Sequence, residues 1–490
     1  MAVRKNFLPT SFLLSFAPMK LMHRAGLLTL LLIFFLSLCR AQTKNAITTW
    51  LTTGDSSILF KKQPGGVEWT TKKYPSPVIE IDDSKKYQLI DGFGFALTQG
   101  SAMAIIKMNA AKRAALLKEL FDTSGNNIGI SYIRLSIGAS DLNERVFSYD
   151  DVDGDTALTK FDLGPDRADV IPVMKQILAV SPKIKILGSP WSPPAWMKTN
   201  RDTRGGRLMP VYYHAYARYL AMYIQAMKKE GIRIDAITVQ NEPLHPGNNP
   251  SLLMTAPDQL NFVKNHLGPL FKSLHLDTKI IVYDHNADRP DYPIYILNDA
   301  QARKYIDGSA FHLYNGDVSA MTDVHDAHPD KNIYFTEQMI VQFGREEKAT
   351  SPSLNIAGPV QWLFIGATRN WSRNVLEWNL AANSQFTPYT DRGGCDMCQG
   401  AVSIDGDTVT RNLAYYAMAH FSKLVRPGSV RIASSEIKQV ANVAFKTAAG
   451  RIILVVANTS GQNQLFSIRY KGKSAQLTIP AASVATYYWE

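Results

Sequence analysis

The stretch Lys183-Ile184-Lys185-Ile186-Leu187 runs into the loop Gly188-Ser189-Pro190-Trp191-Ser192-Pro193-Pro194-Ala195-Trp196-Met197-Lys198. A segment of helical period follows over 212–229, and then Ile234-Asp235-Ala236-Ile237-Thr238-Val239 leads into Gln240-Asn241-Glu242-Pro243. A short run rich in β-branched residues reads as a buried strand, and apolar residues at three-and-four spacing read as a helix packing one face on a sheet. Strand, helix and strand in that order make the repeating unit of a parallel sheet. The unit recurs in both directions along the chain. Strands are predicted over 89–94, 129–135, 183–187, 234–239, 279–283, 309–312, 332–335 and 375–378, with helices over 102–121, 168–179, 212–229, 257–274, 360–370 and 411–423. Eight such strands predict an α/β fold, a (β/α)8 barrel over 89–424, whose chemistry belongs at the C-terminal ends of the strands. On either side the rhythm is that of strands alone: 47–52 and 77–81 before it, and 430–432, 440–446, 451–457, 465–470, 475–479 and 483–489 after it. Residues 42–88 and 425–490 are therefore expected to build one β-sandwich beside the barrel.

The composition agrees with a folded enzyme-sized chain. Of 490 residues, 46% are hydrophobic and 19% charged, which excludes a disordered or collagen-like protein. Residues 1–41 read as an export signal: Arg4, Lys5, Lys20 and Arg24 precede an apolar run over 25–38, too short to span a bilayer comfortably, and Cys39-Arg40-Ala41 supplies a cleavage site. Lipidation at Cys39 is the less favoured alternative, because Leu38 is bulky where a small residue is expected. The expected location is periplasmic or extracellular. Removing that segment, with five basic and no acidic residues, leaves 48 basic against 42 acidic side chains, and no basic run of the kind that binds nucleic acid. Neither a nucleic-acid partner nor a membrane span is expected. Two cysteines, Cys395 and Cys398, remain; between flexible glycines they are expected to form a local disulfide, the alternative being two free thiols.

Functional groups gather where a barrel would put them. Gln240-Asn241-Glu242-Pro243 follows the fourth strand and Thr336-Glu337-Gln338 the seventh. Retaining glycosidases use two carboxyl groups about 5–5.5 Å apart, one to protonate the leaving oxygen and one to attack the anomeric carbon. Glu242 and Glu337 could form such a pair, although either alone equally suits a helix N-terminus. Trp191 and Trp196 lie on the loop after the third strand, and aromatic faces take sugar rings as readily as they pack cores. Arg134 to Asp141 follows the second strand, Phe311-His312-Leu313-Tyr314 ends the sixth and Trp378-Asn379 the eighth. Polar and aromatic groups at nearly every strand end exceed what packing requires. Asp151, Asp153, Asp155 and Asp162 match part of a calcium-loop spacing, but Thr156 stands at the turn position and the closing acid is Asp, so a solvated acidic loop is expected.

With these residues in hand, the chain resembles glycoside hydrolase family 30, which includes lysosomal glucosylceramidase and microbial β-1,6-glucanases. The carriers are Asp91-Gly92-Phe93-Gly94, the Gly188 to Asn200 loop, Gln240-Asn241-Glu242-Pro243, Phe335-Thr336-Glu337, Glu377-Trp378-Asn379-Leu380-Ala381 and Met418-Ala419-His420-Phe421-Ser422-Lys423. The resemblance implies a barrel with an attached β-sandwich and a retaining mechanism that uses neither metal nor cofactor. It implies Glu242 as acid/base and Glu337 as nucleophile. Asn241 would bond the sugar 2-hydroxyl, and Asp141, Trp191 and Trp378 would line the subsite of the cleaved sugar. Tyr314 would stand near the nucleophile, His312 near the acid/base, and Arg134 would balance charge, with Trp196 in a supporting place. The loop Asp391 to Gly400 departs from the glucosylceramidase branch, and the rim it would form is polar rather than apolar. An exported endo-β-1,6-glucanase acting on β-glucan is therefore expected ahead of an exo-acting β-glucosidase or glucosylceramidase-like hydrolase of another β-linked glucoside. A carbohydrate-binding protein without activity is the remaining alternative, and the presence of both glutamates argues against it.

Overall fold

A computed structural model describes residues 46–341 and 354–490. The expected export signal and Cys39 lie outside the described residues. Eight parallel strands form the inner sheet: Gly92–Leu97, Tyr132–Ile137, Lys185–Pro190, Ala236–Thr238, Lys279–Ala287, Ile306–Gly316, Asn332–Glu337 and Asn374–Glu377. The ladder runs unbroken from Asn332–Glu337 round to Asn374–Glu377, and the bridge between Ile333 and Ser372 brings its two ends together. The protein is thus a (β/α)8 barrel with a second, antiparallel-rich β-domain.

Inside the barrel, Tyr132, Leu187, Ala236, Ile281, Ala310, Tyr334 and Leu376 form one apolar layer. The first strand contributes Gly94 at this level, where an added Cβ would stand 1.8 Å from the Tyr132 carbonyl oxygen, so the close approach of the strands requires glycine. Side chains along a strand alternate between faces. Two residues further on, the same strands therefore offer Arg134, Ser189, Thr238, His312, Thr336 and Trp378 one layer nearer the C-terminal end. This layer is polar, and it is the floor of the site.

The second domain is a nine-stranded sheet in the order Lys473–Ile479, Gln464–Tyr470, Val78–Leu89, Val430–Ser434, Ala441–Lys446, Ile452–Asn458, Ser483–Trp489, Thr48–Thr52 and Lys61–Lys62. Strands from before and after the barrel thus share one sheet. It encloses its own core, in which Ile79, Ile81, Phe466 and Ile468 meet Leu454, Val456, Ala485 and Tyr487. His420, on the last barrel helix Leu413–Ser422, ties the domains together: its ring nitrogens lie 2.9 Å from Thr486 Oγ1 and 2.8 Å from Thr52 Oγ1. Burial lowers this imidazole to about 3, so it bridges the hydroxyls as a neutral group.

Several local expectations are corrected. The segment 102–121 is two helices, Gln99–Lys107 and Ala110–Phe121, because the Asn109 side chain accepts from Ala111 N–H and starts a new helix. The segment 257–274 is interrupted by a wide turn at Val263–Leu267, just before Pro269, which has no N–H for the regular ladder. A hairpin, Val402–Asp405 with Thr408–Arg411, precedes the last helix, and its first strand pairs with Ala381–Ala382. Residues 89–91 belong to the entry into the barrel, so Asp91, predicted inside the first strand, precedes it. It sits at the N-terminal end, against Lys185 Nζ at 2.6 Å and Arg373 Nη2 at 3.1 Å. Among the described residues no helix is long and apolar enough to cross a membrane.

Candidate active site

The polar layer of the barrel is built around Arg134. Its guanidinium donates to Glu337 Oε2, to Asn241 Oδ1 at 2.7 Å, to Asp284 Oδ2 at 2.9 Å and to Ser189 Oγ at 3.1 Å. His312 stands beside it, with Nδ1 3.1 Å from Glu242 Oε1 and Nε2 3.1 Å from Asp284 Oδ1. The Tyr314 hydroxyl donates to Glu337 Oε1 at 3.1 Å from a half-exposed ring at the rim. One oxygen of Glu242, one of Glu337 and one His312 nitrogen all lie within 4.8 Å of one another. Glu242, Glu337, Asn241, Arg134, His312 and Tyr314, expected from six separate positions in the chain, therefore meet in one cluster.

Backbone irregularity puts these groups there. Glu242 has φ 44°, in the left-handed region, and its N–H donates to the Asp284 carbonyl at 2.9 Å. The pairing of the sixth and seventh strands shifts register between Phe335 and Glu337, a bulge that lets Thr336 and Glu337 both reach the cluster. The fifth strand is more distorted. Strict alternation from Ile281 would bring Tyr283 inward, but Tyr283 and Asp284 have φ of 74° and 69° and the ladder shifts there, so Asp284 enters instead. Left-handed backbone at non-glycine residues costs about 1–3 kcal/mol each and gathers at functional sites.

Asp284 is the residue that sequence reading missed. It is buried and accepts from Arg134, His312, Thr238 and Thr336, the two hydroxyls at 2.6 and 2.5 Å. Despite burial, those charges and donors hold its carboxyl well below the usual range. The predicted strand stopped at Tyr283, and only the position directly after a strand end could have marked Asp284.

Three carboxylates face two cations here. His312 is driven up to about 9, since Glu337, Asp284 and Glu242 outweigh its burial, and it is a cation at neutral pH. A carboxyl that must give a proton to a leaving group is ordinarily expected to stand above its usual value. In the free site the direction is reversed: the His312 hydrogen bond holds Glu242 below its ordinary value, whereas burial and the charges of Glu242 and Asp284 raise Glu337 against the pull of His312 and Arg134. Groups this close titrate as a set, so the proton belongs to the cluster. Because Arg134 already donates to Glu337 and Asp284, the cluster carries its own positive charge beside the carboxylates.

Asp141 is buried with Oδ1 unpartnered, and burial together with Glu337 and Glu242 lifts its carboxyl to about 8. Trp191 and Trp378 lie 5.3 Å apart with planes inclined at 32°, and Arg134 sits 4.8 Å from the Trp191 ring centre. Both rings are almost wholly buried, so they form a wall with little open face. Behind them packs the Cys395–Cys398 disulfide, S–S 2.09 Å, with Leu142 and Ala96 in the same apolar cluster. Trp196 stands apart: its N–H donates to the Asp150 carbonyl at 2.9 Å and its ring meets Tyr212 edge-on. The acidic loop spends its carboxylates locally, Asp151 on Ser148, Asp153 on Arg201, Asp155 on Thr159 and Asp162 on Arg167. Three rim loops are linked to one another by Arg392 to Asp202 at 3.0 Å, Thr203 to Asn249 at 2.7 Å and Asn249 to Asp391 at 2.9 Å.

The comparisons with known proteins agree with this geometry. The chain is 33% identical over 460 residues to an endo-1,6-β-D-glucanase of Aspergillus fumigatus, covering 88% of this chain and 91% of that one. It is 28% identical over 439 residues to the lysosomal acid glucosylceramidase of Mus musculus, covering 84% and 83%. The solved structure of the endo-β1,6-glucanase BT3312 superposes with a TM-score of 0.84 at 34% identity, covering 91% of this chain and 99% of that one. The family model for the glycosyl hydrolase family 30 TIM-barrel domain matches residues 90–425, and that for the family 30 β-sandwich domain matches 428–487. Two domain models in sequence, over most of the chain, make this protein a glycoside hydrolase of family 30.

Proposed function

We propose that the protein is an exported endo-β-1,6-glucanase that cleaves with retention of configuration. The observation that carries the mechanism is the separation of carboxyl oxygens, within 4.8 Å across Glu242, His312 and Glu337. Retaining enzymes hold their two carboxyl groups about 5–5.5 Å apart and inverting ones about 6.5–9.5 Å, since the latter must admit a water between them. Glu337 is the nucleophile. Its oxygens receive hydrogen bonds from Arg134 and Tyr314, which act against burial and the neighbouring carboxylates to keep available the ionised form that attacks the anomeric carbon. Glu242 is the acid/base, and the proton that it gives to the departing oxygen comes from the pair it makes with His312. The bond from the anomeric carbon to the leaving oxygen breaks as the bond to Glu337 forms. In the second step Glu242 takes a proton from water, which displaces Glu337. Asp141 and Asn241 hold sugar hydroxyls, and the Trp191–Trp378 wall closes one side of the cleaved sugar.

The β-1,6-glucan reading is supported by the printed activities of the Aspergillus fumigatus relative and of BT3312. The linked rim, with Arg392, Asp202, Thr203 and Asn249 on it, suits a hydroxylated chain better than a lipid. Product analysis on β-1,6-glucan, β-1,3-glucan, cellobiose, an aryl β-glucoside and glucosylceramide tests it. An early ladder of gentio-oligosaccharides from the first is expected. Glucose alone, or turnover only of the aryl glucoside and the lipid, overturns endo action. An initial α-anomer from a β-linked substrate, seen by NMR, overturns retention. Export is tested by sequencing the N-terminus of the protein recovered outside the cytoplasm.

A further inference from the structure

A cavity of about 380 Å³ opens between the loops that follow the second, third and fourth strands. Its wall carries Phe147, Asp151, Asp153, Trp196, Arg201 and Thr203. We propose that this cavity binds a glucosyl unit in the leaving portion of the glucan, remote from the bond that is cut. The proposal rests on the glucanase reading and deepens it.

The chemistry of the wall is that of a neutral polyol site. The Trp196 ring is fixed by its N–H bond to the Asp150 carbonyl and by Tyr212 at 5.1 Å, and it is as buried as Trp378, so it gives the cavity a rigid apolar edge while the polar side chains of the wall supply the contacts to a sugar. Asp151 accepts from Ser148 Oγ at 2.6 Å and from the Ser148 N–H at 3.1 Å, yet it remains exposed, and its second oxygen keeps a lone pair for a sugar hydroxyl. Arg201 and Asp153, 2.5 Å apart, join the loop after the third strand to the loop after the second. With side chains 58% and 67% exposed they offer donors and an acceptor to an entering ligand. Two carboxylates against one paired guanidinium disfavour an anionic ligand. The volume is at the lower end for small-ligand pockets, about 300–1,000 Å³, which suits one or two hexose rings.

Position assigns the cavity to the leaving side. Ser192, which follows Trp191, lines it, and so does Pro250, on the loop that begins at Glu242. Thr203 bonds Asn249 of that same loop at 2.7 Å. The acid/base stands where the leaving oxygen departs, and the loop that begins at Glu242 reaches the cavity at Pro250, which is the ground for placing the leaving chain here.

Kinetics of Asp151→Ala and Arg201→Ala test the assignment. The exposed Arg201–Asp153 pair and the exposed bonds between Asp151 and Ser148 each contribute little to stability, so both variants are expected to keep the parent Tm within a few degrees. For gentiotetraose and β-1,6-glucan kcat/KM is expected to fall about tenfold, the size of a lost hydrogen bond to a charged group, with an aryl β-glucoside turned over as before. Calorimetric binding of gentiotetraose to Glu337→Gln protein should weaken to the same degree when Asp151→Ala is added. Unchanged glucan kinetics and affinity, or an equal loss on the aryl glucoside, overturn the proposal. If the parent enzyme leaves β-1,6-glucan uncut, the linkage reading fails by itself. The same titration with β-1,3- and β-1,4-gluco-oligosaccharides then decides the cavity: weakening by Asp151→Ala upholds it, and no weakening rejects it.

Discussion

Both ends of the barrel carry charged networks, and they are built on opposite principles. At the N-terminal end Asp91 is held by Lys185 and Arg373, while Asp307 takes Lys279 at 3.1 Å and the Tyr334 hydroxyl at 2.5 Å. Each of these carboxylates has a cation of its own, and Lys185 and Lys279 keep about a third of their side chains in water. At the C-terminal end Glu242, Asp284 and Glu337 share Arg134 and His312, and all five are buried. A network with enough partners settles each charge and stabilises. One with too few, away from solvent, leaves a proton that must be shared, and that is the condition for acid–base chemistry. The difference agrees with the division of labour between the two faces of such barrels.

The sharpest way to break the comparison is Glu337→Gln, which keeps the shape but not the charge. A loss of at least about 10³-fold in kcat/KM on glucan is expected, with azide giving no rescue because the isosteric amide still fills the place an external nucleophile would need. Glu242→Ala should cost about 10²–10⁴-fold on glucan, yet retain the first step on aryl glucosides with good leaving groups and respond to azide, which enters the space the side chain leaves. Full activity of either protein on glucan would sink the corresponding assignment.

Asp284→Asn tests whether the missed residue governs the cluster. A fall of about 100-fold in kcat is expected, as for loss of a preorganised charge. Asp284 helps to raise His312, so its removal lowers that imidazole, and the alkaline limb of the pH profile should move to lower pH. A loss of rate with an unmoved limb would reduce Asp284 to packing. The stability counterpart has a definite sign. The folded value of His312, about 9, lies above its ordinary 6.5, so the contribution of its charge is complete below pH 6.5 and disappears as pH rises through 9. Urea midpoints of the parent and His312→Gln should therefore differ more at pH 6 than at pH 9.5.

Smaller effects sharpen the contrast. Replacing Cys395 and Cys398 by serine removes the support behind Trp191 and Trp378, and kcat/KM should fall about fivefold through loosened positioning. Lys185→Met, at the other end, should leave kcat unchanged and reduce the free energy of unfolding by about 1–2 kcal/mol, read from urea titration. A rate effect as large as that of the disulfide pair would contradict the separation of the two ends.

The alternation of β-branched runs with amphipathic helices was enough to determine the barrel, and the strand-only rhythm on either side was enough for the second sheet, because both patterns are local consequences of burial on one face. The same logic made Glu242 and Glu337 legible: strand ends of a barrel converge whatever their separation in the chain, here 95 residues. The fold alone decided what depends on broken periodicity. Asp284 reaches the cluster because two left-handed residues interrupt the alternation after Ile281, and Glu337 joins Thr336 there through a bulge. Neither irregularity has a glycine or proline to announce it. Asp91 was placed inside the first barrel strand, whereas it precedes it, because Val78–Leu89 continues the sandwich sheet up to the barrel and moves the first barrel strand three residues on. The order of protonation was equally out of reach of the sequence. It depends on His312 lying 3.1 Å from both Glu242 and Asp284, and such distances between distant parts of the chain exist only once the barrel has closed.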